Sequence, residues 1–81
     1  MSTDAEPAAT ARRLLAGALR IEPADLPPAA ALGTIERWDS LAHMNLILAL
    51  EAHLGVQLDT DTMLAIERLE DIEALLRAAG R

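Results

Sequence analysis

The chain has 81 residues, with 13 Asp and Glu against 7 Arg, a formal net charge of −6, one Trp, and no Phe, Tyr or Cys. This length and composition allow one domain with a modest aliphatic core, and a stability of roughly 4–12 kcal/mol makes every core leucine matter. The absence of Cys excludes disulfides, thiolate catalysis and thiolate metal sites, so any thiol chemistry has to be imported.

Residues 1–7 read as a frayed tail, with Thr3 and Asp4 as candidate caps and Pro7 tolerable in a first turn. Residues 1–6 hold two acids, no base and no apolar run, so a secretory signal is not expected. No later stretch is long enough to insert in a membrane, and a cytoplasmic setting is the expectation. From Ala8 to about Ile21, residues Ala8, Ala11, Leu14, Leu15, Ala18 and Leu19 follow the helical period. Arg13 and Arg20 lie opposite that stripe and Arg12 at its edge, a solvated face.

Residues 22–38 contain Pro23, Pro27, Pro28 and Gly33, a density that forbids a continuous helix. Ile21, Leu26, Leu32 and Ile35 give this long connection apolar anchors, and Trp38 is expected to pin its end onto the core. At Ser40 the strongest apolar helix begins. The run from Leu41 to Leu58 sets Leu46, Ile47, Leu50 and Leu54 on one face, with Gly55 placed to end the main stretch. Met44 and Leu48 fall more than a right angle from the centre of that face. They form an i, i+4, i+8 series with Ser40, an exposed apolar strip unless the long loop covers them. Beyond it, Asp59-Thr60-Asp61-Thr62 can cap a short helix from Thr62 to Glu67. A last helix from about Leu69 to Ala79 buries Leu69, Ile72, Leu75 and Leu76, pairs Glu73 with Arg77, and has Gly80 as a stop.

Asp39 to Ile66 contains no Lys or Arg, so nothing there can neutralise a phosphate backbone, and basic protein partners fit better than nucleic acid. Asp59, Asp61 and Glu70 match positions 1, 3 and 12 of a calcium loop, but Met63 and Leu64 occupy positions that need a ligand and a glycine. His43 and His53 stand ten residues apart and cannot form a single-face ligand pair, so no metal site is expected. His43 reads as a partly covered, hydrogen-bonded ring beneath the loop. Ser40 lacks a Gly-x-Ser-x-Gly elbow, and its hydroxyl sits where the positive end of a helix favours a phosphate ester. As a bland alternative, it is a helix cap.

Asp39-Ser40-Leu41, followed by His43 to Leu58 with its Leu-Ile-Leu-Ala-Leu-Glu centre, resembles the acyl carrier protein family. The resemblance extends from Leu14 to Leu76 in the order of elements, and implies an all-α fold, a small four-helix bundle with a long loop between helices 1 and 2. It further implies that Ser40, within the motif it shares with Asp39 and Leu41, carries a 4′-phosphopantetheine arm whose thiol holds an acyl group. The implied partners are a phosphopantetheinyl transferase, an acyl- or aminoacyl-loading ligase or transferase, and downstream biosynthetic enzymes with basic surfaces. Met44, Leu48 and Glu51 are the candidate contacts to them, on a chain expected to act as a monomer and not as an enzyme. Asn45, Ala52 and His53 stand where fatty-acid carriers commonly have acids, and a Gly-Gly-His-Ser pattern is missing. A stand-alone carrier of a specialised acyl, polyketide or aminoacyl pathway is the preferred subtype, with a helical docking module that lacks the arm as the alternative.

Overall fold

A computed structural model describes residues 5–27 and 29–79, with four α-helices and no strand among them. The helices are α1 (Ala5–Leu19), α2 (Ser40–Leu54), α3 (Thr60–Ala65) and α4 (Leu69–Ala79), and a 3-10 turn, Pro23–Asp25, interrupts the long α1–α2 loop. This is the expected all-α, four-helix architecture. None of the helices is long and apolar enough to cross a membrane.

Helix α1 packs against both α2 and α4, and its stripe of Ala11, Leu15, Ala16 and Leu19 forms one wall of the core. It begins three residues earlier than the sequence suggests. Pro7 lies in the first turn, where an N–H has no helical acceptor to lose, so Ala5–Pro7 join the helix; residues 1–4 lie outside the described chain. The end is also early. Arg20 adopts φ 61°, its N–H reaches the Gly17 carbonyl at 3.3 Å, and the Ile21 N–H reaches Ala16 at 3.0 Å. That pair of bonds is a Schellman close built without glycine at the left-handed position, held by Ile21 against the core and by Arg37 Nη1 donating to the Arg20 carbonyl at 3.3 Å. Arg12 is not simply solvated: its guanidinium donates to the Leu26 carbonyl at 2.6 Å and holds the loop to α1.

The loop is ordered by long-range bonds. The Leu32 N–H donates to Glu67 at 2.7 Å and the Leu69 N–H to Ala30 at 3.0 Å, joining the loop to the α3–α4 junction. Leu26 and Trp38 are fully buried anchors and Ile21 and Ile35 half-buried ones, but Leu32 remains exposed, because its backbone rather than its side chain makes the attachment.

Helix α3 spans Thr60–Ala65 rather than Thr62 to Glu67, since Asp59 is the residue that caps it, with Oδ1 accepting from the Thr62 N–H at 2.8 Å. The hydrogen bonding at Thr62 holds the Asp59 carboxyl below the usual aspartate range. In α4, Leu69, Ile72 and Leu76 are buried and Leu75 half-buried. The Glu73–Arg77 pair is not formed. Among the described residues the ion pair is Arg68–Glu70 at 3.2 Å, both exposed, as expected where such pairs contribute little. Asp71 Oδ2 instead accepts from the N–H groups of Glu67 and Arg68, each at 3.0 Å, which starts α4; Gly80, the proposed stop, lies outside the described residues.

Two glycines give a test with opposite signs. A Cβ on Gly17 would meet nothing within 4 Å in an ordinary helical conformation, whereas Gly55 closes α2 at φ 71°. Gly17→Ala should therefore raise stability by about 0.4–1 kcal/mol, and Gly55→Ala should lower it by about 1 kcal/mol or more. Urea unfolding at fixed pH measures both.

Candidate functional site at the N-terminus of α2

Helix α2 presents apolar side chains around almost its whole circumference, which in a globular protein calls for cover on all sides. It has cover on one. Ala42, Leu46, Ile47 and Leu50 are buried, with Leu54 partly so, and they meet α1 in the core. Leu41, Met44 and Leu48 are 72%, 54% and 59% exposed. The long loop does not cover them. These three lie within about 60° of one another around the axis, so they form one strip that starts beside Ser40. Two more exposed apolar residues were not anticipated as part of a surface: Val56 after the helix, and Leu64 on α3 at 71% exposure. Leu64 had no signal in the sequence, since a six-residue helix has too few turns to define a face.

The first turn of α2 is closed from both sides. Asp39 is the N-cap, in extended conformation, and its Oδ1 accepts from the Ala42 N–H at 2.8 Å while its carbonyl accepts from His43 at 2.9 Å. Ser40 is therefore the first helical residue and not the cap. Its hydroxyl is exposed and makes no hydrogen bond with a described residue, and the N–H groups of Ser40 and Leu41 have none either. Those donors and the helix dipole make a favourable place for an anion.

Trp38 and His43 hold this turn in place. Trp38 is 2% exposed, and its indole Nε1–H donates to His43 Nδ1 at 3.1 Å. An interplanar angle of 22° with ring centroids 6.1 Å apart fits an edge-to-edge arrangement, as an in-plane N–H···N bond requires. Because Nδ1 accepts, Nε2 carries the proton and donates to the Met63 carbonyl on α3 at 3.1 Å. With both nitrogens committed, His43 is not a base for Ser40, and no described residue bonds to that hydroxyl to activate it. An open cleft lined by Ala29, Ala30, Ala31, Arg68 and Glu70 likewise offers no nucleophile paired with a base.

Glu51 stands further along α2, apart from Ser40, and is half-buried. Its Oε2 accepts from the Leu58 N–H at 2.9 Å and so closes the turn after Gly55. The candidate contact residues thus separate: Leu41, Met44 and Leu48 share a strip beginning at Ser40, while Glu51 serves a turn at the opposite end.

The site fits an esterified phosphate on Ser40: an exposed primary hydroxyl, unpaired first-turn donors, and a helix of 15 residues behind them. A phosphopantetheine group attached there would supply the thiol that a chain without cysteine lacks. A family model described as "Phosphopantetheine attachment site" matches residues 9–76. Comparison with curated proteins and with solved structures gives no match. The matched family attaches a 4′-phosphopantetheine prosthetic group, and its domains are non-catalytic carriers. With the match running from the first helix to the last and a four-helix bundle consistent with it, the chain belongs to the phosphopantetheine-binding family of acyl carrier proteins.

Proposed function

We propose that the chain is a single carrier domain that holds an acyl or aminoacyl group as a thioester on a 4′-phosphopantetheine arm at Ser40. The observation that carries this reading is an exposed, unbonded serine at the first position of α2, inside the Asp39-Ser40-Leu41 motif of a chain that matches the attachment family. A phosphopantetheinyl transferase adds the arm, a ligase or transferase loads the cargo, and further enzymes take it on. Since no described residue serves Ser40 as a base, each of these steps takes its acid–base chemistry from the partner.

The strip of Leu41, Met44 and Leu48 is where such partners gain their apolar contact, and the base-free stretch from Asp39 to Ile66 favours surfaces that bring Arg or Lys. Between Ser40 and Leu58 the sole acid is Glu51, and its carboxylate is already engaged by Leu58. This sparse charge supports a specialised polyketide, aminoacyl or modified fatty-acid pathway, and the cytoplasm is the compartment we propose for it.

The direct test is arm transfer in vitro. Incubation with coenzyme A and a phosphopantetheinyl transferase should add one phosphopantetheinyl group to the wild type and none to Ser40→Ala, as read by intact mass. Addition that survives in Ser40→Ala overturns the assignment, and a wild type inert to several transferases favours a docking module without the arm.

Recognition and stability should part company along α2. Leu50 is fully buried, so Leu50→Ala should cost about 2–5 kcal/mol in urea unfolding, whereas Met44→Ala and Leu48→Ala should each cost well under about 1 kcal/mol. The two surface variants should nevertheless slow arm transfer or cargo loading. Equal destabilisation of all three would make the strip part of the core.

Charge calls for a gentler substitution than reversal, because Glu51→Arg would also break the bond to Leu58. Glu51→Gln keeps an acceptor for that N–H and removes the charge. Unfolding should be nearly unchanged, while affinity for a basic partner should fall and lose part of its dependence on salt, measured by titration at several ionic strengths.

A further inference from the structure

The first turn of α2 is fastened by a contact that only one protonation state can make. Trp38 precedes the N-cap and His43 follows four residues after it, the two positions that a hydrophobic staple joins across a helix start. Here the staple is a hydrogen bond. An indole nitrogen only donates and a carbonyl only accepts, so the 3.1 Å contacts to Trp38 Nε1 and to the Met63 carbonyl require neutral His43 with its proton on Nε2. A second proton on Nδ1 would set two N–H groups against each other at that distance.

No charged side chain among the described residues bonds to the ring. At the N-cap of α2 Asp39 faces the Ala42 N–H, and on the helix Glu51 faces the Leu58 N–H. From the loop, Arg37 turns to the Arg20 carbonyl and Glu36 is exposed. From the α3 side, Asp59 caps Thr62, while Asp61 and Glu67 are exposed.

We propose that His43 is a positioning residue for the modification of Ser40, active only as the neutral ring, which binds Trp38 and the Met63 carbonyl to the turn that presents the serine hydroxyl. The proposal rests on the reading that Ser40 carries the arm. Ser40 lies between Trp38 and His43 in the chain, so the staple fixes the direction in which the backbone enters α2 and the presentation of the hydroxyl. The Met63 bond holds α3, with exposed Leu64 beside it, against the same turn. Acidification removes the acceptor at Nδ1 and loosens the loop end and the helix start together.

The test uses the full chain with exposed His53 replaced by Gln, so that His43 is the remaining imidazole. The pH is lowered from about 8 until the ring-proton resonances of His43 show that it has gained its second proton, and two signals are followed: the nuclear magnetic resonance of the single indole N–H, Trp38, and the rate of arm transfer. The rate is compared at each pH with that of a chain that also carries His43→Gln, whose amide can accept a bond but does not titrate in this range; the ratio cancels the transferase's own pH dependence. The indole resonance should move as the pH falls, and the rate ratio should fall about fivefold, the factor set by loss of one ordinary hydrogen bond. A flat ratio overturns the positioning role. So does an indole resonance that stays still while the His43 ring gains its second proton, a measurement that needs no variant at position 43. The same indole titration in Ser40→Ala should be unchanged, because the staple does not depend on the arm. A chain that no transferase modifies at any pH overturns the proposal through the Ser40 reading, and an indole that still titrates then shows that the fault lies there and not in the staple.

Discussion

Helix α2 is apolar on more sides than the bundle can cover, and the rest of the molecule is arranged around that imbalance. Its inner face of Ala42, Leu46, Ile47 and Leu50 supplies much of the core and aligns α1 against it. No described element covers the other side, so Leu41, Met44 and Leu48 remain open. On the function proposed here, an uncovered apolar strip beside Ser40, the proposed attachment point, has a use as a contact surface for partner enzymes that balances its risk of non-specific association. The acidic balance of the second half of the chain, with a net charge of −6 overall, opposes such association.

The two ends of α2 are fixed by polar contacts of different reach. At the start, Asp39 serves the first turn while Trp38 and His43 bring in the loop and α3. At the other end, Gly55 in the left-handed conformation and Glu51 bonded to Leu58 turn the chain toward α3. The free first-turn donors at Ser40 and Leu41 are what remains after these satisfactions. An unactivated hydroxyl and a chain without a thiol suit a scaffold for borrowed chemistry, in which, on the function proposed here, the arm supplies the sulfur and partner enzymes supply the acids and bases.

Periodicity made the helices legible wherever several turns repeat it, so the buried face of α2, the stop at Gly55 and the span of α4 could be read directly. Short-range ambiguity hid other features. Asp59, Thr60, Asp61 and Thr62 are all competent caps, and the choice of Asp59 moved α3 two residues toward the N-terminus. The Glu73–Arg77 spacing was right for an exposed pair, but such a pair contributes only a few tenths of a kcal/mol and need not form. Long-range bonds left no trace in local pattern. Arg12 reaching Leu26, Leu32 bonding Glu67 and Glu51 holding Leu58 each join residues whose neighbourhood is decided by the completed fold. The site divides in the same way: exposure of Met44 and Leu48 followed from angles around one helix, whereas the partners of His43 required the position of α3. Arg20 in the left-handed conformation broke a local rule, and the bonds of Ile21 and Arg37 show what holds it there.

The central claim is that Ser40 is the point at which this carrier bears its arm and cargo. Fragment-ion mass spectrometry of the protein taken from its own cells tests it most directly. Cleavage after Arg37 and Arg68 releases one peptide, Trp38 to Arg68, which also contains Thr60 and Thr62, so the position of the added mass must be read from the fragments. The account predicts phosphopantetheine, with or without an acyl group, on Ser40. A peptide unmodified in every preparation, or one modified at Thr60 or Thr62 with Ser40 bare, would contradict it.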